Sequence, residues 1–171
     1  PRRPQVTAEA TLRRVLQREG GIADVGDGKG VTRFGQTPQW LQRWGLPAPT
    51  GPEEALANYD QWLTKSGLSR LAQVEDGFTE QLVDWAVHSG EGAPIRALQA
   101  RLGVAVDGRL GNQTVGACLG QHPSQLALWL YQARVRYVGG LLRSPDNTPF
   151  AAGWLNRLAD LAAYLDQFPH L

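Results

Sequence analysis

Methionine is absent from this 171-residue chain, and cysteine occurs once, at Cys118. A single thiol excludes an intramolecular disulfide, so burial and hydrogen bonding must hold the fold, with Cys118 as a small apolar core residue. Lysine is scarce too, since 15 of the 17 basic residues are arginine. No apolar run is long enough to cross a bilayer, and the first ten residues lack the apolar centre of a signal peptide. These absences predict no stable membrane insertion, synthesis without a leader and a separate route of release. A large excess of either charge is also missing. The net charge of +1 gives no electrostatic footprint for nucleic acid.

What is present suits one compact unit. With 42% hydrophobic and 19% charged residues, the chain can bury a sizeable core. No repeat, low-complexity tract or linker divides it, which predicts a single domain over residues 1–171, acting as a monomer. Apolar spacing predicts helices almost throughout. Thr7 can cap a first helix bearing Leu12, Val15, Leu16 and Glu19 at i, i+3, i+4 and i+7. Thr37-Pro38 opens a second with Trp40, Leu41 and Trp44. Thr50 and Glu53 offer a capping box before Leu56, Tyr59, Trp62 and Leu63, and Gly67 ends that helix. Phe78, Leu82, Trp85 and Ala86 line the next, which stops at Ser89-Gly90. Ala93-Pro94 starts a helix through Leu102, and a shorter one spans 112–119. Beyond Pro123, Leu126, Trp129, Leu130, Ala133, Tyr137 and Leu141 mark one face. Thr148-Pro149 opens the last helix, with Trp154, Leu158, Leu161 and Leu165 inward. The fold class is mainly α, with one small β-hairpin near the N-terminus.

That hairpin is the glycine-punctuated segment from Ile22 to Thr37, and chemistry concentrates around it. Glu19 ends the inward stripe of the first helix, where partial burial and the negative helix end both favour a protonated carboxyl. Asp27 follows eight residues later, and Thr32 five after that. Two carboxylates on either side of a tight turn are what general acid cleavage of a glycosidic bond needs. Other loops fit badly. Gly30 follows Lys29 where a phosphate-binding loop needs Ser or Thr. Asp24 and Asp27 lack the alternating oxygens and closing glutamate of a calcium loop. No metal or cofactor is called for.

Four stretches in order carry a resemblance: Glu19-Gly20-Gly21 with Asp27-x-x-Gly30-x-Thr32-x-x-Gly35-x-Thr37; Asp84-Trp85-Ala86-Val87-His88-Ser89-Gly90; Leu98-Gln99 with Asp107-Gly108-Arg109-Leu110-Gly111-Asn112-Gln113-Thr114; and Phe150-Ala151-Ala152-Gly153-Trp154-Leu155-Asn156-Arg157, with a closing Gly-Trp-x-x-Arg. Together they resemble glycoside hydrolase family 108, the N-acetylmuramidases of phages and bacteria. The resemblance implies a lysozyme-like helical fold and cleavage of the β-1,4 bond between N-acetylmuramic acid and N-acetylglucosamine in bacterial peptidoglycan. It implies Glu19 as general acid, Asp27 as stabiliser of the transition state or activator of water, and Thr32 as orienter of that water. Gly30, Gln36, Thr37, Trp40, Asp84 and His88 fall on its substrate side. As a phage endolysin the protein would be made in the host cytoplasm and reach the wall after release, assisted by a holin.

The departures are Lys29 in place of a glycine, Gln36 in place of an apolar residue, and His88 where asparagine is common. The peptidoglycan-binding motif, about 94–119, carries too little apolar surface to stand alone and is expected inside the catalytic domain, its Asp107-Gly108 chiefly a turn device. A lytic transglycosylase would use Glu19 without needing Asp27. A non-catalytic wall-binding protein would need neither.

Overall fold

A computed structural model describes residues 8–24, 31–72 and 74–167. It is mainly α: α1 (Ala8–Glu19), β1 (Ile22–Asp24), β2 (Val31–Arg33), α2 (Pro38–Trp44), α3 (Pro52–Lys65), α4 (Asp76–Ser89), α5 (Gly92–Leu102), α6 (Asn112–Leu119), α7 (Pro123–Leu141) and α8 (Ala151–Leu165), with 3-10 turns at Leu68–Arg70 and Pro145–Phe150. Strands β1 and β2 pair antiparallel, Ala23 opposite Thr32. Glycine sets the corner between α1 and the strands, because Gly20 takes a φ of 73° that a side chain would resist.

The centre of the molecule is α4. Glu75 caps it, its carboxylate accepting from the Phe78 amide at 3.1 Å. Every residue from Gly77 to Ala86 is buried, because α1, α5, α7 and α8 all pack against it. Phe78, Leu82, Val83 and Trp85 face apolar neighbours in a continuous core that includes Leu12, Val15, Tyr59, Trp62, Leu98, Val115, Leu130 and Leu165. Cys118 belongs to that core as the sequence suggests, and burial pushes its thiol up to about 11. Trp62 and Trp85 are essentially inaccessible, and truncating either to alanine costs about 3–5 kcal/mol.

Three local expectations are corrected. Gly51, not Thr50, is the cap residue of α3; Glu54 rather than Glu53 reaches back to the Thr50 amide and hydroxyl at 2.8 and 3.0 Å. Glu53 is drawn away by Arg13, 3.0 Å distant. On α7 the buried stripe is Leu126, Ala127, Leu130, Arg134 and Val138, so the helix is rotated from the face carrying Trp129 and Tyr137. Arg134 causes the rotation, since its partner lies in the core. Finally, Pro149 sits within the 3-10 turn that precedes α8, and Trp154 is only half-buried.

Candidate active site

Glu19 stands at the C-terminus of α1 with 16% of its side chain exposed, so the carboxyl is sheltered yet reachable. Two glycine positions make room for it. Gly20 turns the chain away, and at Gly35 an added Cβ would lie 2.6 Å from Glu19 Oε2 and 2.8 Å from the Tyr59 hydroxyl. Phe34 and Gly35 have φ of 53° and 79°, and Arg33 and Gln36 exchange backbone hydrogen bonds of 3.1 and 2.9 Å around them. That is the left-handed geometry of a tight hairpin turn, strained for Phe34. Tyr59 supports it by donating to the Phe34 carbonyl at 2.9 Å. Burial and the nearby Glu19 carboxylate push the Tyr59 phenol well up, so it stays a donor.

Beneath Glu19 lies a buried ionic cluster that the sequence does not announce. Arg157 of α8 reaches Glu19 Oε1 at 2.6 Å and holds Asp84 with Nε at 2.8 Å and Nη2 at 3.1 Å. Asp84, wholly buried on α4, also accepts from Arg134 at 2.6 Å and Arg18 at 2.9 Å. Arg18 continues to Glu80 at 2.6 Å, and Arg14 closes the other side of Glu80 at 2.8 Å. Four guanidinium groups thus surround three carboxylates. Burial alone would raise the Asp84 pKa, but Arg157 and Arg134 overcome it and hold the carboxyl far below its ordinary range. Arg157 is raised despite burial, by Asp84 and Glu19. The carboxylate thought to stand in the cleft is therefore a positioning group: Asp84 orients Arg157, and Arg157 fixes Glu19.

The remaining predicted residues divide. Thr32 lies mid-way along β2, half-buried. Asp27, Gly30 and the Thr7 cap lie outside the described residues. Gln36 is wholly buried and has no open face for a sugar: it donates to the Ala55 carbonyl at 2.8 Å and accepts from Asn58 at 2.8 Å. It replaces an apolar residue because this corner offers it two polar partners. Thr37 caps α2, accepting from the Trp40 amide at 3.2 Å. Trp40 packs its ring on Tyr59 and Trp62, with centroids 5.4 and 5.9 Å away, so it braces the hairpin from below. Gln36 thus acts as a support where direct substrate contact was expected, while Thr37 and Trp40 are half-buried and also serve the local structure.

His88, one turn beyond Asp84, is placed nearer the surface. Its ring meets Trp154 edge-on at 6.0 Å, and Trp154 stacks on the exposed Phe150 at 5.9 Å. Burial, reinforced by Arg157 and Arg134, lowers His88 to about 4, so it is neutral at pH 7 and does not titrate there. The aromatic row leads from Arg157's neighbourhood to solvent. Trp154 and Phe150, both in the closing motif of the resemblance, are functional candidates, although periodicity assigned Trp154 to the core. The signal that could have found the ionic cluster is Arg134 itself, a charge inside the apolar stripe Leu130–Val138, the same oddity that singled out Glu19.

The Asp107-Gly108 turn is pinned by Gln99, which is nearly inaccessible. Gln99 donates to Asp107 Oδ1 at 2.7 Å and to the Arg109 carbonyl at 3.0 Å, while the Gly108 amide donates to its Oε1 at 2.8 Å. Asp107 also accepts from the Arg109 amide at 2.8 Å. These bonds spend the motif's polar groups on the turn. No helix of the described residues is long and apolar enough to cross a membrane. No group of metal-ligating side chains occurs among them either.

Residues 93–159, from α5 into α8, match the family model described as "Predicted Peptidoglycan domain". The match associates this part of the chain with peptidoglycan and extends well beyond the 94–119 motif. Among solved structures, the chain is similar to SagA of Brucella abortus, at a TM-score of 0.74 and 22% identity, over 96% of each chain. At that identity the likeness is one of fold. No curated protein matches the sequence significantly.

Proposed function

We propose that the protein is a peptidoglycan hydrolase of the muramidase type, with Glu19 as the general acid. The observation that carries this reading is Glu19 itself, a partly exposed carboxyl held in place by Arg157, Gly35 and Tyr59 at the mouth of a hairpin. Such effort spent on fixing an acid suits proton delivery to a positioned leaving oxygen, where angular precision governs rate. The peptidoglycan match and the order of the sequence motifs supply the substrate class. In this reading Glu19 protonates the glycosidic oxygen between N-acetylmuramic acid and N-acetylglucosamine. Asp27 stabilises the oxocarbenium-like transition state or activates water, and Thr32 orients that water. The stacked pair Trp154 and Phe150, on the far side of His88, is a candidate platform for a bound sugar.

Glu19→Gln keeps the shape and removes the transferable proton. The expected outcome is loss of lysis to below a few per cent of the parent rate, with unchanged circular dichroism and retained sedimentation with purified sacculi. Mass spectrometry of the parent's products separates reducing sugar ends from anhydro ends, and so hydrolysis from transglycosylation. Retained lysis in the variant ends the assignment of Glu19. The second reading, a wall-binding protein without activity, draws on the peptidoglycan match alone. It is the correct one if the parent binds sacculi and releases no fragment.

A further inference from the structure

A polar groove lies away from Glu19. It is a cavity of about 510 Å³ between the C-terminal ends of α2, α3 and α4 and the loop that joins α5 to α6. That volume lies within the range of small-ligand clefts. Four cations line it, Arg43, Lys65, Arg96 and Arg109, against two carboxylates, Glu91 and Asp107. Both carboxylates have internal duties: Glu91 is paired with Arg43, and Asp107 is tied into the turn by Gln99 and the Arg109 amide. Lys65 is held towards the groove by donating to the Trp44 carbonyl at 2.6 Å.

Arg96 is the telling residue. No carboxylate lies within ion-pair distance of it among the described residues. Yet its guanidinium is fitted closely between two glycines: an added Cβ would lie 2.9 Å from it at Gly92 and 2.4 Å at Gly108. Gly108 also takes a φ of 75°. The Asp-Gly turn therefore does a second thing besides turning, since it leaves space for a charged group at the edge of the groove. Trp44 lines the same wall, and its buried indole N–H has no acceptor among the described residues. The groove thus gathers positive charge around Arg96, with Ala93 and the nearly buried Ile95 also in its lining.

We propose that this groove binds the carboxylate end of a peptide carried by the glycan strand, a reading that rests on peptidoglycan being the substrate. Arg96 and Arg109 would receive the carboxylate, since Asp107 and Glu91 are already engaged by Gln99 and Arg43. Mixed charge on a partly apolar groove favours a short zwitterionic peptide over a polyphosphate chain. Location agrees. Ser89, on the groove wall, lies five residues beyond Asp84 on α4, about 8 Å along the axis from the cluster that fixes Glu19. Cleavage site and peptide site are then neighbours on one strand.

The test uses the full chain carrying Glu19→Gln, so that binding is read without lysis. Its sedimentation with intact sacculi is compared with that on glycan strands stripped of peptide by an amidase. Arg96→Gln should weaken binding to intact sacculi about tenfold, the worth of one charge-assisted hydrogen bond, and leave binding to stripped strands unchanged. Arg109→Gln, at an exposed loop position, serves as the second variant. Titration with a free tetrapeptide of stem composition, followed by tryptophan fluorescence, should give saturable binding that Arg96→Gln weakens and rising salt abolishes. Equal affinity of parent and both arginine variants for intact sacculi overturns the proposal, as does an equal loss on stripped strands, which would point to glycan or wall phosphate. A parent that binds the tetrapeptide but cleaves nothing overturns the hydrolase reading and leaves the groove intact. Cleavage with no peptide binding does the reverse.

Discussion

Asp84 takes contacts from three guanidinium groups, and removing its charge would strand them. A buried ion pair contributes little net stability over an apolar replacement, because desolvation consumes most of the attraction; losing one partner is a different matter. Arg134 is 1% exposed, and its Nε already lacks an acceptor. Asp84→Asn is therefore expected to cost about 3–5 kcal/mol, roughly a 10 °C fall in melting temperature by calorimetry. A loss under 1 kcal/mol would show the cluster to be relaxed. The same residues set the acid stability. His88 is neutral when folded, with its pKa lowered from 6.5 to about 4, so the unfolded chain binds a proton first as pH falls. Its contribution is complete above about pH 6.5 and disappears on descent towards 4. Asp84, also depressed, keeps its contribution above its ordinary 3.8 and loses it only at lower pH. Melting temperature should thus decline in two stages. His88→Asn should flatten the first, worth about 1–3 kcal/mol, and spare the second. An unaltered decline between pH 6.5 and 4 would remove His88 as its cause. Asp84 and Arg157 stood out through the motifs that contain them, but their pairing did not, because it joins α4 to α8 across 73 residues, and Arg18 and Arg134 carried no motif at all.

At the scale of elements the sequence was a better guide. Helix starts at Pro38 and Pro123 and stops at Gly20 and Gly90 follow from local chemistry, which is why capping and periodicity foresee them. Faces were harder. The buried stripe on α7 includes Arg134, which pairs with Asp84, and leaves Trp129 and Tyr137 off it. The hairpin carries the question of mechanism. If water attacks with the help of Asp27, as proposed, the two carboxyls must stand about 6.5–9.5 Å apart, and that role predicts inversion. Proton NMR of the first sugar ends released should then show the inverted anomer. Thr32→Ala should slow release by misplacing water, and Thr32→Glu should install a carboxylate nucleophile and turn the outcome to retention. A retained anomer from the parent would replace the attacking water by Asp27 itself.

For the whole molecule, α4 joins the halves. Its apolar side packs with α1 and with α5 and α7, so neither half closes a core alone. Ending the chain after Gly90 should give a fragment that aggregates or shows no cooperative melting transition by circular dichroism; a soluble fragment with a sharp transition would establish two domains. The peptidoglycan match over 93–159 reaches α8, and with it Arg157, whose contact with Glu19 could not be inferred from spacing because it closes across nearly the full chain.

That last contact sets a clock. The guanidinium that steadies Glu19 is added 138 positions after it (157 − 19 = 138). At about 5–20 residues per second, a nascent chain spends roughly seven to thirty seconds with Glu19 made and Arg157 still to come. Helices translated before α8 can form early, but the arrangement around Glu19 is assembled only when α8 docks.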